Sequence, residues 1–252
     1  MMMSSAYTKH ESECIATLKW YNDSSLNNAI ITMIERNHAS ILLDLCCGTG
    51  QLYPYIHTYY DRIQAVDLSP DMILRNKELN KDLADKITYL CCDTNDYLNH
   101  YPESIQSSTD VLFKNCMQFL DINPVIDVLK KQKYNACFVI NTINCSPFNF
   151  FSLLHDFGLD FVSRTRNYLR EADLDEYLGQ IGFVKESQVI SQDVGLLDWL
   201  KYHQCSKEQI DTLLGHISSL SEWELSQYGL VFEEGVYKMM RLEKLYCIIP
   251  YQ

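Results

Sequence analysis

The stretch ILLDLCCGTGQL, residues 41–52, joins a run of branched apolar residues to an aspartate, two cysteines and a Gly-Thr-Gly turn. Short apolar runs of this kind are typical of buried parallel strands, whose side chains pack on both faces of a sheet. Glycines after such a strand let the backbone approach a ligand closely, because no Cβ stands in the way. The stretch therefore predicts a strand that ends at a ligand-binding loop, since open α/β sheets bind ligands beyond the carboxyl ends of their strands.

The same pattern continues along the first half of the chain. Strands are predicted over 41–45, 62–68, 86–93, 108–115 and 135–143, with helices between them. Ser69 is expected to cap the helix after the second strand, with Pro70 at its first position and Asp71 in its first turn. Strand and helix alternating at this interval predict a parallel sheet with helices on both faces.

The flanking regions are expected to extend this core. Residues 10–37 have helical spacing, with Asp23 or Ser24 as a cap between two segments. Later segments predict a helix over 171–183 ending at Gly179 or Gly182, a sixth strand over 184–191, two helical segments within 194–222 and a last strand over 236–249.

We therefore predict one α/β domain over 1–252, built on a doubly wound, mostly parallel, seven-stranded sheet. A helical cap is expected to be inserted before the last strand. The N-terminal helical segment covers 1–38, and the cap or lid elements cover 146–172 and 194–228.

Composition narrows the range of partners. The net charge of −12 at pH 7 disfavours general binding to a phosphate backbone and favours a cationic ligand. The N-terminus lacks the apolar core of a signal peptide, and no stretch reaches the roughly 18 uninterrupted apolar residues of a membrane span. We therefore expect a cytoplasmic protein that binds neither nucleic acid nor a membrane.

The ten cysteines include no C-x-x-C pair, which disfavours a zinc ribbon or a dithiol redox site. In a reducing compartment, cysteines of this kind most often act as small buried apolar side chains. No H-x-x-x-H or G-x-S-x-G motif occurs either, so we expect neither a bound metal nor a nucleophilic residue.

The sequence of the glycine loop can be compared with known nucleotide-binding motifs. A P-loop motif is absent, and the dinucleotide fingerprint G-x-G-x-x-G has Tyr53 where its third glycine belongs, after Gly48 and Gly50. Asp44 also disfavours a pyrophosphate, which prefers a positive field at this point. An acid beside a glycine turn instead suits a ligand with an ammonium group and no phosphate, such as S-adenosylmethionine.

Two further strands also end in acidic residues. Asp67 ends the second strand, where a carboxylate can accept hydrogen bonds from both ribose hydroxyls. Asp93 and Thr94 follow the third strand and can meet an adenine amino group. The alternative for either aspartate is a helix cap or a turn.

These segments resemble class I S-adenosylmethionine-dependent methyltransferases over about residues 40–145. LDLCCGTG is similar to the glycine loop of that family, AVDLSPDMI to its ribose-binding strand end, LCCDTND to its adenine-contacting segment and VLFKNCMQFL to its fourth strand. Cys46 stands where the family usually has the first glycine of the loop. The resemblance implies a Rossmann-like methyltransferase fold with S-adenosylmethionine as the cofactor.

The resemblance also implies roles for individual residues. Asp44 orders the loop and meets the ammonium group, Leu68 and Met72 line the adenine, and Asn115 and Cys116 lie beside the methionine part. Tyr7 or His10 closes over the cofactor from the N-terminal helix. The full implied cofactor-binding set is Tyr7, Asp44, Cys46, Gly48, Gly50, Asp67, Leu68, Met72, Asp93, Thr94, Asn115 and Cys116.

The sequence indicates less about the methyl acceptor than about the cofactor. Methyl transfer from a sulfonium mainly requires alignment and the exclusion of water. The N-P-P-[YF] run of enzymes that methylate exocyclic or amide nitrogens is absent after the fourth strand. The aromatic stretch FNFFSLLHDF and the segment LLDWLKYH favour a small, partly apolar acceptor, so we expect O- or C-methylation of a carboxylate or a phenol.

Three residues are candidates for acting on the acceptor. Arg166, with Arg164 and Arg170 nearby, could bind a carboxylate in bidentate fashion, although surface ion pairs are the alternative. His155, with Asp156, could serve as a base for a hydroxyl acceptor, although histidines on aromatic helices are more often packed residues. Tyr168 is a further candidate, and His203 ranks with it.

Two other functions stay open. The length and the helical insertion are also similar to carboxyl methyltransferases of the biotin pathway, which act on an acyl group bound to a carrier protein, and to quinone-pathway enzymes. A non-catalytic partner or sensor that binds the cofactor is the second alternative. A homodimer is left open as well.

Overall fold

The computed structural model describes residues 9, 12–13, 23–143, 153, 169–202 and 205–251. Its described helices are α1 Ser24–Asn37, α2 Tyr53–Ile56, α3 Pro70–Leu79, α4 Thr94–His100, α5 Ile122–Leu129, α6 Glu171–Leu178, α7 Leu196–Tyr202, α8 Lys207–Ile217 and α9 Glu222–Gln227. Its described strands are β1 Ile41–Leu45, β2 Arg62–Asp67, β3 Ile87–Cys91, β4 Thr109–Lys114, β5 Cys137–Ile143, β6 Gly182–Gly195, β7 Leu230–Glu233 and β8 Val236–Pro250.

The described strands form one sheet in the order β3-β2-β1-β4-β5-β8-β6, with β7 paired to β8. Strands β1 to β5 are parallel, and β8 is antiparallel to its neighbours. The order of the parallel strands reverses at β1, between β2 on one side and β4 on the other. Such a reversal opens a crevice beyond the carboxyl ends of the strands, and the loop after β1 lies at its mouth.

The predicted α/β sheet is confirmed, but its strand count was wrong because the sheet has eight described strands rather than seven. The additional strand is β7, which forms a hairpin with β8. The two residues between them, Glu234 and Gly235, have φ angles of 52° and 81°. This positive-φ pair is typical of the tightest hairpin turns, which a glycine at the second position favours.

Local sequence signals set several helix ends as predicted. Asp23 caps α1 by accepting a hydrogen bond from the Leu26 N–H at 2.9 Å. Ser69 caps α3, with Pro70 at its first position, and Gly179 follows the last residue of α6. The caps at Asp23 and Ser69 follow from side chains that bind the nearby backbone, so they need no tertiary contact.

Other boundaries differ from the prediction. The helix predicted from residue 10 begins at Ser24 in the described part, and most of 10–22 lies outside it. The region predicted to hold two helical segments contains α7 and α8 and is followed by α9. Strand β6 is 14 residues long, because pairing with β8 continues past the end of β5.

Apolar side chains cover both faces of the parallel strands. Leu43 and Leu45 belong to the buried cluster on one face, and Leu42 belongs to the cluster under α1. A third buried cluster joins α7 and α8 to the far ends of β6 and β8, and it includes Met72 of α3. Helices α7 to α9 therefore lie beyond the carboxyl edge of the sheet, on extensions of β6 and β8.

The eight described cysteines are free thiols. The prediction was that such cysteines are most often buried, and their observed burial varies. Cys116, Cys137 and Cys247 are buried, whereas Cys91 is exposed at the end of β3. None of the helices in the described part of the chain is both long and apolar enough to cross a membrane.

A buried aspartate organises the amino-terminal edge of the sheet. Asp110 on β4 accepts hydrogen bonds from the Ala39 N–H at 2.8 Å, the Tyr60 hydroxyl at 3.0 Å and the Asn135 side-chain amide at 2.8 Å. Burial raises the pKa of Asp110, and these donors oppose that shift. One carboxylate thereby connects the segments that enter β1, β2 and β5.

We expect Asp110→Ala to lower the free energy of unfolding by about 3 kcal/mol, because it leaves three buried donors without their acceptor. Urea denaturation measures this change. Asp127→Ala is the matched control, since Asp127 is an exposed residue of α5 and should cost less than about 0.5 kcal/mol. Equal stability of the two variants would contradict the role assigned to Asp110.

Candidate functional site

The loop after β1 has a strained backbone. Cys46, Gly48 and Gly50 have φ angles of 61°, 53° and 64°. These values lie in the left-handed region of the backbone, which residues other than glycine rarely adopt. The loop is fastened to β2 by the Cys47 N–H, which donates to the Val66 carbonyl at 2.9 Å. Cys46 therefore adopts a conformation that glycine takes more readily than any other residue.

Asp67 lies at the end of β2 and contacts this loop directly. Its two carboxylate oxygens accept hydrogen bonds from the Gly48 N–H and the Ser69 N–H, both at 2.8 Å. Burial raises the pKa of Asp67, and these backbone donors oppose that shift. The same carboxylate therefore fixes the glycine loop and the start of α3.

Two asparagines, Asn76 of α3 and Asn80 directly after this helix, support the glycine loop. Asn76 donates its side-chain N–H to the Gly48 carbonyl at 3.1 Å, and Asn80 donates to the Gly50 carbonyl at 3.3 Å. A Cβ at Gly50 would collide with the amide group of Asn76, whereas a Cβ at Gly48 would meet no atom within 4 Å. The loop is packed at Gly50 and open at Gly48. The sequence did not predict a role for either asparagine, because no motif near them in the chain indicates a contact with the glycine loop.

Asp44 is buried near the carboxyl end of β1 rather than exposed at the surface of the protein. It is 5% exposed and accepts a hydrogen bond from the Tyr53 hydroxyl at 2.8 Å. Burial raises the pKa of Asp44 to about 7, although the Tyr53 hydroxyl and the charge of Lys114 act in the opposite direction. The sequence did not indicate the role of Tyr53, because only its mismatch with a glycine fingerprint was visible.

The third strand ends differently from the prediction. Strand β3 stops at Cys91, and Asp93 is the N-cap of α4, where its Oδ1 accepts from the Asn95 N–H at 2.8 Å. Asp93 is therefore a helix cap, which was the alternative to an adenine contact. Thr94 is buried, and its Oγ1 lies 3.2 Å from the Cys46 Sγ, which joins this segment to the glycine loop.

The end of β4 contributes a buried acceptor. Asn115 has a φ of 55°, and its Oδ1 is buried with no hydrogen-bond partner among the described residues. Cys116 is buried beside it and donates its thiol proton to the Leu45 carbonyl at 3.5 Å. Burial raises the pKa of the Cys116 thiol, so this cysteine stays protonated at neutral pH.

The structure brings together the ends of β1, β2 and β4 and the start of α4, which carry most of the predicted cofactor residues. Leu68 is partly exposed beside Asp67, and Met72 is buried against the cluster that includes α7. Several predicted residues lie outside the described part of the chain: Tyr7, His10, His155, Asp156, Arg164, Arg166, Tyr168 and His203.

Arg170 is the described member of the predicted arginine group. It forms a bidentate ion pair with Asp173 at the start of α6, with N–O distances of 3.0 and 2.8 Å. Its side chain is 73% exposed, so it takes the surface-pair alternative. Within the described ranges, no group of three or more metal-ligating side chains comes together.

The described arrangement suits a ligand with hydroxyl and ammonium donors. Asp44, Asp67 and Asn115 lie at the carboxyl ends of β1, β2 and β4, the Asn115 Oδ1 has no partner among the described residues, and a Cβ at Gly48 would meet no atom within 4 Å. Such a ligand would satisfy buried acceptors that otherwise cost free energy.

Comparison with known proteins agrees with this geometry. A family model described as a methyltransferase domain matches residues 42–133, which run from β1 past α5. A search of curated proteins finds no match for this sequence.

Solved structures match over most of the chain. A protein from Bacillus halodurans C-125 described as a methyltransferase has a TM-score of 0.69 and 15% identity, and the match covers 88% of this chain and 98% of that one. The YcgJ protein of Bacillus subtilis also has a TM-score of 0.69, at 11% identity, covering 90% and 98%.

A third neighbour was solved with ligands. Phosphoethanolamine N-methyltransferase 2 from Haemonchus contortus, in complex with phosphomonomethylethanolamine and S-adenosylhomocysteine, has a TM-score of 0.54 and 15% identity. The match covers 90% of this chain and 53% of that one. At these identities the likeness concerns the fold.

We expect Gly50→Ala to lower the free energy of unfolding by about 1–3 kcal/mol more than Gly48→Ala, because the added Cβ must displace Asn76. Both variants place alanine at a positive φ, which costs about 1–2 kcal/mol in either case. Urea denaturation of the pair isolates the steric difference. Equal losses would show that the loop is not packed against α3 at Gly50.

Proposed function

We propose that this chain is a class I S-adenosylmethionine-dependent methyltransferase that transfers a methyl group to a small-molecule acceptor by O- or C-methylation. The methyltransferase-domain model that matches residues 42–133 supports this proposal. The observation that carries the proposal is the position of Asp67. Its buried carboxylate holds the glycine loop through Gly48, whose open side leaves room for a ligand at the point where the strand order reverses.

Each part of the cofactor has a matching group in the described crevice. Asp67 accepts from the ribose hydroxyls with the lone pairs that Gly48 and Ser69 leave unused. Asp44 and the Asn115 Oδ1 accept from the ammonium group, and Thr94 lies on the adenine side. When bound, the cofactor supplies an electrophilic methyl group on a sulfonium, and the protein contributes alignment and the exclusion of water.

The region around α7 to α9 is proposed to cap the acceptor. Met72 lies in the first turn of α3, next to the crevice, and packs in the same buried cluster as Trp199 of α7. This shared cluster supports the proposal of an apolar wall beside the cofactor end of the sheet. A small, partly apolar acceptor suits such a wall better than a nucleic acid or a membrane does.

The proposal also assigns the protein to the cytosol. All eight described cysteines are free thiols, including the exposed Cys91. Thiols persist in reducing compartments, whereas secreted chains tend to pair them.

Calorimetric titration with S-adenosylhomocysteine tests the proposal, with NAD as the competing ligand. We expect saturable binding of S-adenosylhomocysteine alone. Asp67→Ala should weaken that binding by about 2–4 kcal/mol, because two charge-assisted hydrogen bonds are lost. Asp82→Ala, at an exposed position in the turn after α3, is the control and should leave the affinity unchanged. Undiminished affinity in folded Asp67→Ala would contradict the ribose assignment.

The affinity should also depend on pH through Asp44. Because burial raises its pKa to about 7, the carboxylate is charged above that pH and becomes neutral as the pH falls through it. An ammonium group prefers the charged form, so affinity for S-adenosylhomocysteine should fall by up to about tenfold per pH unit below neutrality.

Calorimetry at pH values on either side of 7 measures this slope. Asp44→Asn removes the titrating group while keeping its size, and its affinity should be lower and nearly flat with pH. An equal slope in both proteins would show that another group controls the pH dependence.

A further inference from the structure

We propose that one face of the sheet formed by β7 and the adjoining ends of β6 and β8 binds a partner protein, through a basic segment of the partner that also carries apolar side chains. The face is centred on Val231, Val236 and Met240 and is named the hairpin face. The inference goes beyond the proposed function and does not depend on it, because none of these residues belongs to the proposed cofactor site.

The register of the three strands divides their side chains between two faces. Met239 of β8 pairs with Val194 of β6 and with Leu230 of β7. All three are buried in the cluster that joins α7 and α8 to the sheet. Because successive residues of a strand point to opposite faces, the residues on either side of these three occupy the other face, which is the hairpin face.

The apolar side chains of the hairpin face are exposed. Val236 and Met240 are each 51% exposed and Val231 is 38% exposed. Val231 pairs with Lys238, which lies between Val236 and Met240 along the same face of β8. Single apolar residues are common on protein surfaces, whereas adjoining ones that form a patch indicate an interaction site.

Two glycines leave this patch uncovered by side chains of the neighbouring strands. Gly195 of β6 pairs with Lys238, and the carbonyl of Gly229, just before β7, accepts a hydrogen bond from the Met240 N–H at 2.8 Å. Neither glycine has a side chain that could cover Met240 or the stem of Lys238. A partner can therefore contact the patch directly.

The charges on this face indicate the chemistry of the partner. Glu233 accepts a hydrogen bond from the Lys238 Nζ at 3.0 Å. This hydrogen bond and the charge of Glu233 raise the pKa of Lys238, and the charges of Asp193 and Glu234 act in the same direction. Three acidic residues therefore surround one lysine, and the face is net acidic. Lysine or arginine side chains beside apolar ones would complement it.

Other occupants suit the hairpin face less well. A second copy of this chain would bring two acidic faces together, in a chain that already has a net charge of −12. Like charges placed opposite each other at an interface oppose association. The same sign of charge disfavours an anionic lipid surface, which attracts basic segments instead.

Titration of synthetic peptides into the whole chain tests the inference. The probe is an amphipathic peptide of leucine and lysine. A leucine–glutamate peptide of the same pattern is the control for charge, and a serine–lysine peptide is the control for apolar contact. Fluorescence anisotropy of the labelled peptides measures affinity. We expect the leucine–lysine peptide to bind at least about tenfold more tightly than either control.

Matched variants locate the binding to the hairpin face. Val236→Ser combined with Met240→Ser should weaken binding of the leucine–lysine peptide at least about tenfold, because apolar contact area is lost. Phe183→Ser is the control, since Phe183 is 53% exposed and lies near the start of β6, at the opposite end of that strand from Gly195. It should leave the affinity unchanged. Circular dichroism checks that each variant is folded.

A second pair of variants tests the charge. Asp193→Asn should weaken binding of the leucine–lysine peptide about threefold, because it removes one exposed acid from the hairpin face. Asp127→Asn removes an exposed acid from α5 and should have no effect.

Three results would overturn the inference: no binding of the leucine–lysine peptide, equal affinity for the three peptides, or binding that survives the double serine variant. Sedimentation of the protein alone examines the other occupant. A dimer that the double serine variant abolishes would assign the face to a second copy of the chain instead. A monomer whose affinity for the leucine–lysine peptide falls only in the hairpin-face variants would support the inference.

Discussion

The carboxylate of Asp67 is the contact on which the crevice depends. It accepts one hydrogen bond from the Gly48 N–H, 19 residues earlier in the chain, and another from the Ser69 N–H at the start of α3. The loop after β1 and the end of β2 therefore keep a fixed relation at the reversal of strand order. The left-handed conformations of Cys46, Gly48 and Gly50 are tolerated because this tether, Asn76 of α3 and Asn80 after it hold the loop.

Charge alternates across the carboxyl edge of the sheet. Asp44 on β1 is followed by Lys114 on β4, and then by Glu243 and Arg241 on β8. Lys114 interacts with both acids, so the groups share one electrostatic environment, in which burial lowers the pKa of Lys114 and raises that of Asp44.

The sequence predicted the strand ends and helix caps that depend on interactions between residues close in the chain. The strand ending at Asp67, the Ser69 cap and the Asp23 cap were correct because each depends on residues close in the chain. Strand β7 was missed, since it has only four residues and forms by pairing with β8. Contacts over long separations were equally hidden: Thr142 and Glu243 are 101 residues apart, and nothing near either marks the other. Arg170, the described member of the arginine group chosen by proximity in sequence, forms a surface ion pair instead.

The central claim is that the crevice at Asp67 holds the cofactor. A crystal structure of the protein with S-adenosylhomocysteine tests it most directly. The account predicts the ribose hydroxyls within hydrogen-bond distance of the Asp67 carboxylate, the amino group beside Asp44 or the Asn115 Oδ1, and no side chain between the ligand and Gly48. Ligand density at another place, or a ribose turned away from Asp67, would contradict the account.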